Sequence, residues 1–404
     1  MAKKRESLVG LDIGTATVCA LIGEPGEGKE IEIVGVGSSP SKGFRKGTVV
    51  NVESTKESIK KAIEEAEYMA GVKVHSAYVG VSGVHIEEIG PQRGSAPVEA
   101  TVAQPRDRRI FHAGKSVTTE SHQVSSRSSL DGPIPDRGNG KPSQRMEENA
   151  QLVPKEWPSI SDLIKSVQGA GLSARAVLLE QVVSAEAVLT PEEKESGVAL
   201  VNIGGGTTDI ALYLKGTVKY TASLPLGGSH ITNDIAICLK TSMSDAEKVK
   251  KRYGCAFSPL VSPKESLQIP LVGGKDIRVI SRRELVEVIE PRVEEIFEYT
   301  HHALKGSGIF DLATSGIVLT GGTVIMEGMT EAASQVFHSP VRIGIPQGVS
   351  GLVDIVGSPL YAAGVGLIFY GARHKHYDTS LNVKEQHGLK KALFRMRSWL
   401  GDFF

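Results

Sequence analysis

Two glycine-rich segments of the same design lie far apart in this chain. Residues 8–15 form an apolar run that ends in an acid, a glycine and a hydroxyl, and residues 200–209 form one that ends in three consecutive glycines. A further apolar run follows each of them, at residues 18–22 and 210–214. The pattern predicts two strand–turn–strand hairpins, because glycine lets the backbone N–H groups of a turn approach an anion closely. Two such hairpins facing one another could hold a polyphosphate between two lobes.

The composition is that of an ordinary globular protein. With 404 residues the chain is long enough for two or more domains, and 40% of its residues are hydrophobic. The formal net charge is zero, so we expect no nucleic-acid partner. We find no signal peptide and no apolar run long enough to span a bilayer, and the three cysteines lack the spacing of a metal site. These observations predict a cytoplasmic protein, unless something tethers it.

One internal segment departs from this composition. Residues 90–156 are rich in Pro, Ser, Arg and Gly, and their few large apolar side chains follow neither the helical nor the strand period. Such a segment buries too little apolar surface to offset the entropy of ordering, so its composition alone predicts disorder.

The end of the sequence has an amphipathic pattern. At the 100° step of a helix, one side of residues 389–404 carries the large apolar side chains, and the other side is basic. The apolar side consists of Leu389, Leu393, Met396, Leu400 and Phe403 with Trp399 beside them, and the basic side of Lys390, Lys391, Arg395 and Arg397. This pattern predicts a helix that lies in a membrane interface, preceded by a flexible linker at residues 373–388. The alternative is a helix that docks on the protein's own core or on a partner.

Three glycine turns, taken in order, resemble those of the actin, Hsp70 and sugar-kinase superfamily. Within it the chain resembles the FtsA family of bacterial cell-division proteins, over residues 7–89 and 159–404. The motifs that carry the resemblance are those at residues 10–15, 43–51, 184–189, 203–209 and 227–235. The resemblance implies an α/β, two-lobed actin-like fold, built of duplicated ribonuclease-H-like domains, with a C-terminal amphipathic helix.

The same resemblance implies a division into domains. The first lobe would comprise residues 1–89 with 159–196 and 351–372, and the second lobe residues 197–350 with a smaller subdomain at about 230–305. Nothing in residues 90–158 matches the family's small subdomain. We interpret this segment as a local shift of reading frame that is restored near Ser159, with a genuinely disordered replacement as the alternative. Resequencing the gene distinguishes the two.

The implied function is that of an ATP-binding membrane adaptor. The resemblance implies that the protein tethers filaments of the tubulin-like protein FtsZ, through the FtsZ C-terminal peptide, to the cytoplasmic face of the bacterial inner membrane at the division septum. It also implies recruitment of other division proteins and actin-like polymerisation with a second copy of the chain. The expected cofactors are ATP and Mg²⁺, and the membrane surface would be anionic. A PilM-like pilus assembly protein and a small-molecule kinase of the same superfamily are the alternatives.

The residues of the nucleotide site follow from the matching motifs. Asp12 would lie near the magnesium ion, through water, and Glu247 and Lys250 on the ribose and adenine side. The cofactor-binding residues would be Asp12, Gly14, Thr15, Thr17, Gly204, Gly205, Gly206, Thr207, Glu247, Lys250, Gly321, Gly322 and Thr323. The implied catalytic residues are Glu180, with its neighbour Gln181 as the alternative, and Asn202.

The sequence departs from the resemblance at several of these positions. Asn202 stands where the superfamily usually has Asp, and Thr17 where many FtsA chains have Lys. Gln181 replaces the usual proline. An amide keeps the shape of a carboxylate but loses its charge. Because phosphoryl transfer depends on positioning and electrostatics, we expect ATP to bind and hydrolysis to be slow or absent.

Overall fold

The computed structural model describes residues 7–26, 30–82, 86–89, 151–154, 157–273 and 276–374, excepting the side chains of residues 86–89, 151–154 and 157–159. These ranges belong to one compact unit, Met1–Ile89 with Ala150–Phe404. The predicted helix at residues 389–404 and nearly all of the linker before it lie outside the described residues, as does most of the proline-rich segment. Within the described ranges no helix is long and apolar enough to cross a membrane.

Strands and helices alternate along the described chain. The strands are β1 (Leu8–Ile13), β2 (Thr17–Pro25), β3 (Ile31–Pro40), β4 (Phe44–Arg45), β5 (Thr48–Val49), β6 (Ser76–Val81), β7 (Ile86–Ile89), β8 (Gln151–Pro154), β9 (Ser173–Leu179), β10 (Val198–Ile203), β11 (Thr208–Leu214), β12 (Thr217–Leu224), β13 (Ser266–Pro270), β14 (Ile277–Ser281), β15 (Ile317–Thr320), β16 (Val341–Ile343) and β17 (Val349–Gly351). The α-helices are α1 (Val52–Ala70), α2 (Trp157–Gly169), α3 (Glu180–Val188), α4 (Pro191–Ser196), α5 (Gly228–Leu239), α6 (Met243–Tyr253), α7 (Arg282–Gly306), α8 (Met329–Phe337), α9 (Val353–Val356) and α10 (Ala362–Arg373).

Two sheets repeat the same topology. The first has the order β17-β3-β2-β1-β6-β9 and the second β12-β11-β10-β15-β16. In both, the first hairpin strand pairs antiparallel with the second and parallel with a strand from much later in the chain. We call the β1 sheet with α1, α2, α3 and α10 the first lobe, and the β10 sheet with α5 to α8 the second lobe. The predicted duplicated, two-lobed α/β fold is confirmed.

The two predicted hairpins match residue by residue. Asp12 pairs with Cys19 across the first hairpin, and Asn202 with Asp209 across the second. The turns are closed by the same backbone bond, from Gly14 N–H to Thr17 O at 3.1 Å and from Gly204 N–H to Thr207 O at 2.9 Å. The first lobe therefore carries its acid at the end of the first strand, whereas the second lobe carries its acid at the start of the second strand.

The core links the lobes through α3. On β10, Val198 and Leu200 belong to the same buried cluster as the first-lobe sheet, whereas Val201 and Ile203 face a second cluster formed with α5 and α7. This alternation is the period of two that a strand buried on both faces requires. Helix α3 contacts both β10 and α10, so it fills the space between the two sheets.

Small residues allow α10 to pack closely on both its neighbours. A Cβ atom at Gly10 of β1 would lie 2.3 Å from the carbonyl oxygen of Gly364 in α10. A Cβ atom at Gly366 would lie 1.9 Å from the carbonyl oxygen of Val183 in α3. Both distances are too short for any side chain, so glycine sets the spacing of these layers.

The structure departs from the sequence predictions at a few boundaries. Helix α3 begins at Glu180, whereas apolar periodicity predicts a start at Val182, because buried Glu180 and Gln181 interrupt the apolar pattern. Strand β8 pairs antiparallel with β7, so the prediction of disorder is wrong for Gln151–Pro154. The second lobe is larger than the first between the hairpin and the parallel strand that follows it. The segment between β12 and β15, which we call the second-lobe insertion, contains α5, α6, β13, β14 and α7. The corresponding segment of the first lobe, between β3 and β6, contains β4, β5 and α1.

We expect Gly366→Ala to destabilise the protein by about 1–3 kcal/mol, because the added methyl group overlaps the backbone of α3. Gly306→Ala, at the end of α7, is the matched control, since a Cβ atom there meets nothing within 4 Å. The control should be neutral or slightly stabilising. Urea unfolding of both variants measures the difference, and equal free energies of unfolding would contradict the packing described here.

Candidate functional site

A cavity of about 400 Å³ lies where the two hairpin turns meet. The start of α3, helices α5 and α6 and the turn after β15 complete its wall. Most of the residues predicted from sequence line it: Asp12, Gly14, Thr15, Thr17, Glu180, Asn202, Gly204, Gly205, Thr207, Glu247, Lys250, Gly321, Gly322 and Thr323. The fold thus brings together motifs from both halves of the chain.

The two turns pack directly against each other. A Cβ atom at Gly205 would lie 2.7 Å from Cβ of Ala16, and one at Gly206 would lie 2.4 Å from Oγ1 of Thr15. Gly206 therefore serves the contact between the turns and does not line the cavity. Consecutive glycines are required here because any side chain on either residue would separate the lobes.

The second glycine turn is also held by hydrogen bonds from the start of α5 and from Thr323. The backbone N–H groups of Gly228 and Ser229, at the start of α5, donate to the carbonyl oxygens of Gly204 and Gly205 at 3.0 and 2.7 Å. The Thr323 hydroxyl donates to the carbonyl oxygen of Gly204 at 2.8 Å. With its carbonyls held in this way, the turn is a rigid part of the cavity wall, and the positive end of the α5 dipole lies beside it.

Carboxyl groups from both lobes lie close together at the base of the cavity. Burial, followed by the charge of Asp209, raises the pKa of Asp12 to about 7, although a hydrogen bond with Glu180 opposes this shift. Burial, with the charges of Asp12 and Asp209, raises the pKa of Glu180 well above its ordinary value. Both acids are therefore poised to take up a proton, or to be neutralised by a cation.

One oxygen in this group is a free acceptor. Oδ1 of Asp12 is buried and has no hydrogen-bond partner among the described residues. Nowhere in the described ranges do three or more His, Cys, Asp or Glu side chains form a metal-holding group. An unpartnered carboxylate oxygen at a cavity of this size fits a hydrated Mg²⁺ ion, since this ion keeps several waters and needs few protein ligands.

The remaining catalytic candidates lie in different surroundings. Glu180 is at the cavity wall, whereas Gln181 is 1% exposed and does not line the cavity, and its Oε1 finds no partner in the described part of the chain. Asn202 lines the cavity, and its Oδ1 lies 2.5 Å from the position of a Cβ atom on Gly321. Gly321 has φ +94°, a conformation that favours glycine.

Helices α5 and α6 supply a charged wall. Lys250 and Glu247 form an ion pair with a distance of 2.7 Å, and the Lys250 ammonium also donates to the carbonyl oxygen of Gly228 and the hydroxyl of Thr232. Burial lowers the pKa of Lys250, and the Glu247 carboxylate opposes that shift. The pair places the Glu247 carboxylate at the edge of the cavity, while Glu247, Gly228 and Thr232 accept from the Lys250 ammonium.

Sequence reasoning missed two residues at the base of the cavity. Ser82 lines it, and Asp209 lies behind it, fully buried and bonded to Ser82. Asp209 is the last residue of the second glycine motif, so the motif itself was the available signal. Ser82 directly follows β6, but no local pattern distinguishes it from an ordinary loop serine.

Comparison with known proteins identifies the family. The family model described as "Cell division protein FtsA" matches residues 9–167 and 199–366. The chain belongs to the FtsA family of cell-division proteins. FtsA of Pseudomonas aeruginosa is 41% identical to it over 417 residues, with 98% of each chain covered, and FtsA of Escherichia coli K12 is 35% identical over 423 residues, with 100% of this chain and 99% of the relative covered. The first matched range runs through the proline-rich segment, which the sequence resemblance did not cover.

Solved structures with a similar fold include proteins outside the FtsA family. The PilM–PilN type IV pilus biogenesis complex gives a TM-score of 0.61 at 16% identity, covering 91% of this chain and 99% of that one. MreB 5 of Spiroplasma citri bound to AMPPNP gives 0.57 at 16% identity, covering 92% and 98%. These likenesses show the actin-like fold alone. Membership of the FtsA family favours that assignment over the PilM-like and kinase alternatives.

We expect the stability of the ligand-free protein to depend on Asp12 in a pH-dependent way. The pKa of Asp12 is raised from 3.8 to about 7 in the folded state, so protonation of this group stabilises the fold at low pH. That contribution is lost as the pH rises through about 7. Asp12→Asn cannot ionise, so at about pH 8 it should be more stable than the parent by about 1–2 kcal/mol. This is less than the full pKa shift corresponds to, because water in the cavity screens the charge.

Thermal unfolding at about pH 5 and about pH 8, with a chelator present, measures this difference. Asp354→Asn, which removes an exposed carboxylate outside the cavity, is the control and should show no such pH dependence. A stability difference between parent and Asp12→Asn that is the same at both pH values would contradict the electrostatics described above.

Proposed function

We propose that this chain is an ATP-binding adaptor that connects FtsZ to the cytoplasmic membrane during bacterial cell division. The observation that carries the proposal is the cavity between the two glycine turns, in a chain of the FtsA family. A cell-division protein with an actin-like fold and such a cavity has the parts that a nucleotide-dependent scaffold requires.

The nucleotide proposal rests on how the cavity is lined. Backbone N–H groups of the two turns would hold the phosphates, and Asp12, with its unpartnered oxygen, would hold Mg²⁺ through water. The ion would neutralise phosphate charge when bound. Glu247 and Lys250 would position the nucleoside. The actin-like protein MreB 5 of Spiroplasma citri, solved bound to AMPPNP, gives this choice of ligand added support.

We propose slow or absent hydrolysis. Asn202 supplies an amide where a carboxylate would attract a cation, and it lies against the Gly321 turn. Glu180, the residue best placed to orient a water molecule, has a pKa raised well above its ordinary value by burial and by two neighbouring acids. A neutral carboxyl group is a poor proton acceptor, so the cavity is better suited to holding a nucleotide than to turning it over.

The membrane and partner proposals rest on sequence and family. Residues 389–404 would lie in the membrane interface, with their apolar side inserted and their cations towards anionic headgroups. Helix α10 ends at Arg373, which is exposed, so the chain leaves the first lobe at its surface. The surface of the second-lobe insertion, roughly residues 230–305, would bind the FtsZ C-terminal peptide. Polymerisation with a second copy and recruitment of other division proteins complete the proposed role.

We expect Gly205→Asp to abolish binding of Mg-ATP. The new side chain would overlap Ala16 in the facing turn and would place a negative charge against the phosphates. Gly306→Asp is the control, because it adds the same side chain where nothing lies within 4 Å. Isothermal titration calorimetry measures both. Undiminished ATP binding by folded Gly205→Asp would contradict the assignment of the turn to phosphate.

We expect the full-length protein to recruit a fluorescent FtsZ C-terminal peptide to anionic liposomes. Trp399→Glu should abolish the recruitment, because a charge on the apolar side opposes insertion, whereas Ser398→Glu, on the polar side, should weaken it only slightly. A pull-down in solution should show that Trp399→Glu still binds the peptide. If truncation after Gly388 leaves liposome binding intact, the membrane anchor lies elsewhere in the chain. If deletion of residues 230–305 leaves peptide binding intact, the FtsZ-binding site lies elsewhere.

A further inference from the structure

A buried carboxylate from the second lobe is surrounded by hydroxyl groups. Asp209 of β11 is 0% exposed. Its Oδ1 accepts hydrogen bonds from Ser82 at 2.7 Å and from Ser223 at 2.5 Å, and its Oδ2 accepts one from Thr207 at 3.1 Å. The two serine hydroxyls lie 3.2 Å apart. A buried carboxylate needs such donors, and those to a charged acceptor are stronger than neutral hydrogen bonds.

One of these donors comes from the other lobe. Ser223 lies in β12, which pairs with β11 in the second-lobe sheet, and Thr207 lies in the turn that precedes β11. Ser82 directly follows β6 of the first-lobe sheet and is 2% exposed at the cavity wall. The Ser82–Asp209 bond therefore spans the lobes, whereas the other two bonds stay within one lobe.

The chain crosses between the lobes twice, and the return crossing runs from β16 into β17. Helices α3 and α4 lead from the first-lobe sheet into β10, and Arg342 of β16 donates to the carbonyl oxygen of Val188 at 2.9 Å and forms an ion pair with Glu193 of α4. These contacts lie along the connection itself and can persist when the lobes separate. At the facing turns, Gly205 and Gly206 pack closely against Ala16 and Thr15. The bond from Ser82 is directional and must break for the cavity to open.

We propose that the Ser82–Asp209 hydrogen bond is a latch between the lobes that holds the cavity closed around its ligand and sets the rate at which the ligand leaves. The inference rests on the proposed function in taking the ligand to be a nucleotide. Ser82 acts through Asp209 and the lobes, so it is a positioning residue.

The decisive comparison is between Ser82→Ala and Ser223→Ala. Each variant removes one hydroxyl donor from the same carboxylate oxygen, but only the first removes a bond between lobes. With a fluorescent ATP analogue and Mg²⁺, we expect Ser82→Ala to raise the dissociation rate about ten- to a hundredfold, the size of effect for a lost bond to a charged group. Ser223→Ala should change that rate by less than about twofold, because the lobes stay joined.

Two further measurements separate the latch from a merely structural role. Thermal unfolding should give similar Tm values for the two variants, since each removes one hydroxyl donor from the same carboxylate oxygen. In an Asp209→Ala background, which removes the acceptor, Ser82→Ala should have no further effect on the dissociation rate, as a double-mutant cycle requires for a direct pair. Equal dissociation rates for Ser82→Ala and Ser223→Ala would overturn the proposal.

A ligand-free measurement tests the latch independently of nucleotide. Cys238 is exposed in the second lobe, Cys19 and Cys255 are buried, and Lys61 is exposed on α1 of the first lobe. Spin labels on Cys238 and on Lys61→Cys report the distance between lobes. We expect Ser82→Ala to broaden this distance distribution towards longer values and Ser223→Ala to leave it unchanged. A parent that fails to bind the ATP analogue would refute the proposed function, whereas unchanged distances in Ser82→Ala would refute the latch.

Discussion

The contact between the two hairpin turns is the constraint on which the rest of the structure depends. Gly205 and Gly206 lie so close to Ala16 and Thr15 that a single added Cβ atom would push the lobes apart. The backbone of the second turn packs here against the side chains of Ala16 and Thr15 in the first, so both turns border the same cavity. The cavity, its volume and its suitability for an anion all follow from that close approach.

Helix α3 connects the cavity to the buried core. Its first residue, Glu180, lines the cavity, while the remainder packs between α10 and the strands β10 and β11. The interface between α10 and α3 has no room for a side chain at Gly366, since a Cβ atom there would overlap the backbone of Val183. A shift of α3 along its axis would therefore disturb both sheets, because one face of β10 belongs to the buried cluster of the first lobe and the other face to that of the second.

The buried carboxyl groups at the base of the cavity destabilise the ligand-free fold. Asp12 and Glu180 of the first lobe lie near Asp209 of the second, and burial together with the charge of Asp209 raises the pKa values of Asp12 and Glu180. Hydroxyl donors relieve Asp209, but Oδ1 of Asp12 is left without a partner among the described residues. Such a cost is characteristic of binding sites, because a cationic ligand group turns the same repulsion into attraction. We therefore expect neutralisation of Asp12 to stabilise the ligand-free protein and to weaken binding of a cationic ligand group.

The sequence by itself determined the two hairpins, the duplicated fold and most of the cavity lining. Each glycine motif is local: an apolar strand, a turn without side chains and a second strand specify their own geometry from neighbouring residues. Only the tertiary structure decided which motif residues face the cavity and which face the opposite turn, as Gly205 and Gly206 show. It also decided the pairing of Ser82 with Asp209, because a hydrogen bond between residues 127 positions apart depends on how two lobes close, and no local period encodes that. The start of α3 was missed for a related reason, since buried polar residues at its first turn serve the cavity and break the apolar pattern.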